Sequence, residues 1–169
     1  MTISDIINML DQNQKVFKGL LAHKNEDEYR WRPHPEKWNL LEIVCHLLDE
    51  EREDFKARVK HTLETPLLEM PKIDPTGWVL ERDYKSQNHE KVLRDFLNER
   101  RKSIVWLHKN INADWENAHI HPTLGTMSAK QFLTNWLAHD YLHIRQINAY
   151  QYNYLKEKMR LDIQYAGNW

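Results

Sequence analysis

A chain of 169 residues with only four Gly, 29% charged and 41% hydrophobic, has the size of one domain (1–169) and the make-up of a helical globular protein rather than a disordered one. A formal net charge of -1 excludes a strong pull towards nucleic acid or an acidic membrane, and the short basic cluster Arg100-Arg101-Lys102 reads as a solvated helix face. No run reaches the roughly 18 apolar residues of a membrane span and MTISDIINMLDQNQ carries no leader pattern, so a cytoplasmic protein is expected.

The first helix is predicted from a cap at Thr2 or Ser4 to about Lys24, with Ile6, Ile7, Leu10, Phe17, Leu20 and Leu21 facing inward. Pro33 and Pro35 make 25–38 a loop. Asn39 followed by Glu42 has the form of a capping box, and a second helix should run from there to about Leu63. Within it the lone cysteine, Cys45, cannot form an internal disulfide and, set in Ile43-Val44-Cys45, reads as buried packing. Pro66, Pro71, Pro75 and Gly77 mark a long connection from Glu64 to Lys85, enough to cross a bundle from end to end.

A third helix is expected over 86–110, with Val92, Leu93, Phe96, Leu97, Ile104 and Leu107 at core spacing. A second loop, 111–127, carries Trp115, His119, His121, Pro122 and Gly125. Ser128 with Gln131 then caps a fourth helix reaching about Tyr154, and the terminal Trp169 is expected to dock on a surface. The reading is an all-α four-helix bundle with a long crossover between its second and third helices.

The chemistry concentrates on the fourth helix. In WLAHDYLHIRQI, His139 and His143 lie one turn apart on one face, and both imidazoles can reach one point, as a divalent metal such as zinc requires. Ten His in 169 residues give about 0.6 such pairs by chance, so spacing alone decides little. The stripe Trp136, His139, His143, Gln146, Tyr150 adds weight, because it follows the inward face of a bundle helix. A buried imidazole pair needs a metal or hydrogen-bonding neighbours, and both readings fit. His46, in EIVCHLLDEERE, is the third candidate, with Asp49 and Glu50 placed to accept from its free ring nitrogen; a satisfied core histidine is the alternative. His119 and His121 stand near the expected mouth of the site, in a loop or substrate-contacting role. His23, His34, His61, His89 and His108 read as exposed.

The segments YRWRPHPEKWNLLEIVCHLLDEERED and HPTLGTMSAKQFLTNWLAHDYLHIRQINAY, in this order and separation, resemble the two signatures of the DinB/YfiT-like family of metal-dependent enzymes. The resemblance spans nearly the whole chain. It implies a four-helix bundle of unusual handedness, commonly a homodimer, with one nickel or zinc ion held by three His, here His46, His139 and His143. His121 matches the family's His-Pro position. Relatives transfer low-molecular-weight thiols such as bacillithiol, or isomerise with mycothiol, so the resemblance implies a small-molecule substrate and a thiol cosubstrate.

On this reading the three His ligate the metal, Asp49 and Gln146 orient, and Trp136, Tyr150 and His121 line the pocket. Three neutral ligands leave a coordination position open, which suits a metal-dependent transferase or hydrolase. A non-catalytic bundle stapled or regulated by the ion, and a metal-free helical module, are the alternatives. Because ligands must be neutral, metal affinity is expected to fall as pH drops towards about 6.5.

Overall fold

A computed structural model of the chain describes residues 1–121 and 123–167. The expected docking of Trp169 and the ring of Pro122 lie outside the described residues. Helix α1 (Ile3–Leu21) starts where Thr2 and Asp5 cap each other's backbone N–H groups, and it buries Ile6, Ile7, Leu10, Phe17 and Leu21, with Leu20 half-buried. The following loop is not wholly irregular: a short helix α2 (Glu26–Arg30), capped by Asn25, stands before Pro33. Three acids in its first turn favour it through the helix dipole.

The Asn39/Glu42 capping box opens α3 (Leu40–Asp49), all of whose residues are buried. A π turn (Glu50–Asp54) interrupts the expected single helix, which resumes as α4 (Phe55–Glu64). The long connection holds α5 (Trp78–Glu81) and a 3-10 turn, 84–86, before α6 (His89–Lys109), capped by Asn88. The second predicted loop folds instead into an antiparallel hairpin, β1 (Ala118–His121) with β2 (Gly125–Ser128), pairing Ala118 with Ser128 and His121 with Gly125. Gly125 adopts φ +74, a left-handed conformation open to glycine, at the hairpin's turn. Ser128 and Gln131 cap α7 (Ala129–Met159), which at 31 residues outruns its predicted end at Tyr154.

Four long rods result: α1, α3–α4, α6 and α7. Helix α1 packs on α6 and α7, α3 on α6, and α4 on α7, so the first two rods occupy opposite corners of a four-helix bundle. Apolar residues form two clusters. One gathers Phe17, Leu40, Ile43, Leu47, Phe96 and Ile147, the other Ile7, Leu10, Val59, Ile104, Phe132 and Leu133.

Along each rod the clusters are divided by buried polar residues: Asn13 on α1, Glu50 and Glu51 in the π turn, Arg100 on α6, and Asp140 and His143 on α7. Arg100 is therefore not part of a solvated basic face. It is 1% exposed, in helical phase with Phe96 and Leu107. His89, expected at the surface, is also buried, stacked on Tyr29 of α2 with ring centroids 4.7 Å apart. No helix among the described residues is long and apolar enough to cross a membrane.

Candidate metal centre

Helix α3 carries His46 into the polar layer one turn before the π turn, and α7 carries His139 and His143 to meet it. His139 Nε2 lies 3.3 Å from His46 Nε2 and 3.0 Å from His143 Nε2. One donor atom from each of the three lies within 4.8 Å of the others, and among the described residues no other His, Cys, Asp or Glu joins the group. Nitrogen ligands at about 2.0–2.1 Å from a tetrahedral ion stand roughly 3.3–3.4 Å apart, close to the observed spacing. His46 and His143 are buried, and His139 is partly exposed, which marks the side of approach. Trp38 packs on His46 and Phe55 on His139, with centroids 4.9 and 4.8 Å away.

Electrostatics favours neutral imidazoles. Burial, followed by the neighbouring His143, pushes the His46 pKa down to about 3, and the same causes take His139 to about 2. Burial also lowers His143, against the raising effect of its bond to Gln146. In the folded protein protons therefore compete for the His46 and His139 nitrogens only well below the pH of about 6.5 expected for free imidazoles. His143 Nδ1 is 2.8 Å from Gln146 Oε1, which can only accept; the ring proton sits on Nδ1, and the Nε2 lone pair faces the cluster.

The remaining sequence candidates go elsewhere. Asp49 accepts from Tyr84 Oη at 2.6 Å and pairs with Arg82 Nη1 at 2.8 Å, in a cleft whose lining includes none of the three His. It is Glu50 whose Oε1 lies 3.9 Å from His46 Nδ1. Burial first, then the facing Asp54 carboxyl, raise the Glu50 pKa to about 8. Trp136 is 1% exposed, donates from Nε1 to Glu51 Oε2 at 3.1 Å, and stacks on Phe55, which in turn packs on His139. Tyr150 donates to the carbonyls of Glu28 and Trp31, fastening the segment around α2 to α7. His121 caps the hairpin turn, its Nδ1 accepting from the backbone of Thr123 and Leu124 at 3.2 Å. His119 is held by the Pro66 carbonyl at 2.9 Å and packs edge-on against His61. Cys45 is buried, and desolvation raises its thiol to about 12, which leaves it unreactive.

Sequence reasoning missed the ion network beside the histidines. Arg100 donates to both oxygens of Asp140 at 2.7 and 2.8 Å, to Glu51 Oε2 at 2.9 Å, and to the Leu10 carbonyl at 3.3 Å, while Asn13 Nδ2 donates to Asp140 at 3.1 Å. All four rods meet there. The signal that could have found it is helical phase: Arg100 on the Phe96–Leu107 stripe, and Asp140 in phase with Trp136 and His143.

A sequence comparison with curated proteins gives no match. Solved structures that share the fold include the following two. YfiT from Bacillus subtilis, described as "a probable metal-dependent hydrolase with an unusual four-helix bundle topology", has a TM-score of 0.77 at 16% identity, over 95% of this chain and 89% of that one. TT2238, described as "a four-helix bundle protein", has a TM-score of 0.62 at 17% identity, over 88% of this chain and 99% of that one. Such identities speak for the fold alone. A family profile matches residues 9–147, from the middle of α1 past all three site histidines, and by that match the chain belongs to the DinB superfamily.

Proposed function

We propose that this protein is a divalent-metal-dependent enzyme acting on a small molecule by hydrolysis or group transfer, with transfer of a low-molecular-weight thiol to an electrophile as the favoured reaction. The observation that carries this reading is the convergence of three imidazoles, two buried and one partly exposed, on one point, at the spacing a tetrahedral ion needs. His46, His139 and His143 would hold the ion, nickel or zinc on the family resemblance. When bound, it supplies Lewis acidity that brings a water or thiol pKa down towards about 7.

The chain's own groups do the rest. Gln146 fixes the tautomer of His143, Trp38 and Phe55 screen the cluster from water, and partly exposed His139 leaves one side open to a reactant. A structural staple ordinarily closes all four positions with protein ligands, whereas three candidate ligands come together among the described residues. Hydrolysis draws support from the description of YfiT, and thiol transfer from the resemblance of the two His-bearing segments.

The test is a turnover screen of electrophiles with several thiol cosubstrates on metal-loaded protein. Loss of thiol in step with electrophile is expected; electrophile loss without thiol would select hydrolysis, and no turnover with either would favour the binding role. The homodimer belongs to the same proposal. Light scattering should give twice the 20.5 kDa chain mass, and a mass near 20.5 kDa would remove it.

A further inference from the structure

Two polar atoms in the bundle core lie near each other, and among the described residues neither has a hydrogen bond. His46 Nδ1 and Glu50 Oε1 are 3.9 Å apart, both buried and both without a hydrogen bond. Their residues are 7% and 4% exposed, so solvent does not satisfy them. Buried polar groups in native proteins are almost always paired, and an orphan donor and orphan acceptor side by side call for an explanation.

We propose that Glu50 is a positioning residue of the metal centre: its carboxyl accepts the Nδ1–H of His46 and so commits the His46 Nε2 lone pair to the point shared with His139 and His143. The inference rests on the metal reading given above. Gln146 already performs this task for His143 on α7, at 2.8 Å, so Glu50 supplies the matching support on the adjoining rod. Asp49, the neighbouring acid, is unable to serve, because Tyr84 and Arg82 occupy its oxygens.

The backbone explains how two consecutive acids are both turned inward. Glu50 stands four residues after His46, on its face of the helix, and the π turn that begins there widens the coil so that Glu51 also stays buried and reaches Arg100. One irregular turn thereby separates an acid for the histidine from an acid for the guanidinium.

Metal-free protein is titrated with zinc against a chromophoric chelator, as the unaltered chain and as Glu50→Ala, Glu50→Met and Glu50→Gln. Glu50→Ala and Glu50→Met, the second filling the volume without an acceptor, should lower zinc affinity roughly 10–100-fold. Glu50→Gln, which keeps a carbonyl oxygen in place, should recover most of it. In the zinc-loaded protein a solvent-protected His46 Nδ1–H proton resonance should be present in the unaltered chain and lost in the Met variant. The His143 Nδ1–H held by Gln146 should persist in both, which a general loss of structure would not allow. Unchanged affinity in the Met variant with the His46 resonance retained overturns the positioning role and leaves the metal reading intact. Failure of the unaltered chain to bind zinc, nickel or another divalent ion overturns the metal reading and this inference with it.

Discussion

The polar layer of the bundle holds two clusters that meet at the adjacent residues His139 and Asp140 of α7, and they differ in how their polar groups are partnered. His46 with His139 and His143 forms one; Glu51 with Asp140 and Arg100 forms the other. In the second, two carboxylates converge on a guanidinium that the chain itself supplies, Asn13, Trp136 and the Leu10 carbonyl add hydrogen bonds, and Glu51 Oε1 is left without one. In the first, three imidazole nitrogens converge on one another, and no carboxylate or thiol among the described residues joins them. The contrast separates a polar cluster closed by its own ion pairs from one to which the proposed function assigns a metal ion. The ion-pair cluster is wholly buried and carries its own charges, whereas the histidine cluster is neutral and reaches the surface at His139.

The largest effect should come from breaking the closed cluster. Arg100→Met leaves Glu51 and Asp140 buried without their counter-ion, and urea unfolding should show a loss of about 3–5 kcal/mol. In metal-free protein His139→Ala, by contrast, should cost far less, since it removes no charge partner. Equal losses in the two variants would erase the distinction.

Metal binding should show the reverse pattern. His46→Ala, His139→Ala and His143→Ala should each abolish tight binding by elemental analysis after dialysis. His61→Ala, whose ring is engaged by the Leu68 carbonyl and His119, should keep a full complement. Equal metal content in all four would show that the ion sits elsewhere.

Acid should weaken the fold through the open cluster. His46 and His139 stay neutral in the folded state down to about 3 and about 2, whereas unfolded imidazoles take up protons near 6.5. Below about 6.5 the unfolded chain therefore binds more protons, and stability is lost as pH falls from there towards the folded values. The thermal midpoint of metal-free protein should drop between about pH 7 and pH 5. That slope should be shallower in a His46→Ala/His139→Ala double variant; an identical slope would assign the acid sensitivity to other groups. The smallest effect belongs to Gln146→Ala, which frees the His143 tautomer and should weaken zinc binding by about tenfold, with the fold unchanged.

Local chemistry made most of the scaffold readable in advance. Thr2, Asn39 with Glu42, and Ser128 with Gln131 each cap a helix by bonds that span three residues, so their short patterns suffice. The histidine spacing on α7 was legible for the same reason. Arg100 was misjudged because its flanking Arg101 and Lys102 were weighed as a run instead of by angle around the helix, where it alone turns inward. The hairpin at 118–128 escaped because two four-residue strands leave little alternation to detect, although Gly125 offered a turn signal. Choosing Asp49 over Glu50 had a different origin. Their partners, Tyr84 and Arg82 for one and His46 for the other, depend on tertiary placement and on an irregular turn that no residue pattern announces.

The π turn at Glu50–Asp54 makes the length of this rod an inherited constraint in its own right. Deleting one residue from it would yield a smoother, locally better helix, yet everything downstream would rotate by about 100° relative to what precedes it. Val59 and Thr62, now wholly buried, would swing towards solvent, and either Glu50 or Glu51 would lose its place. Substitutions along the segment can accumulate one at a time, but an insertion or deletion there has no neutral intermediate. In this chain's lineage, alignment gaps should cluster in the crossover and the hairpin loop and avoid this turn.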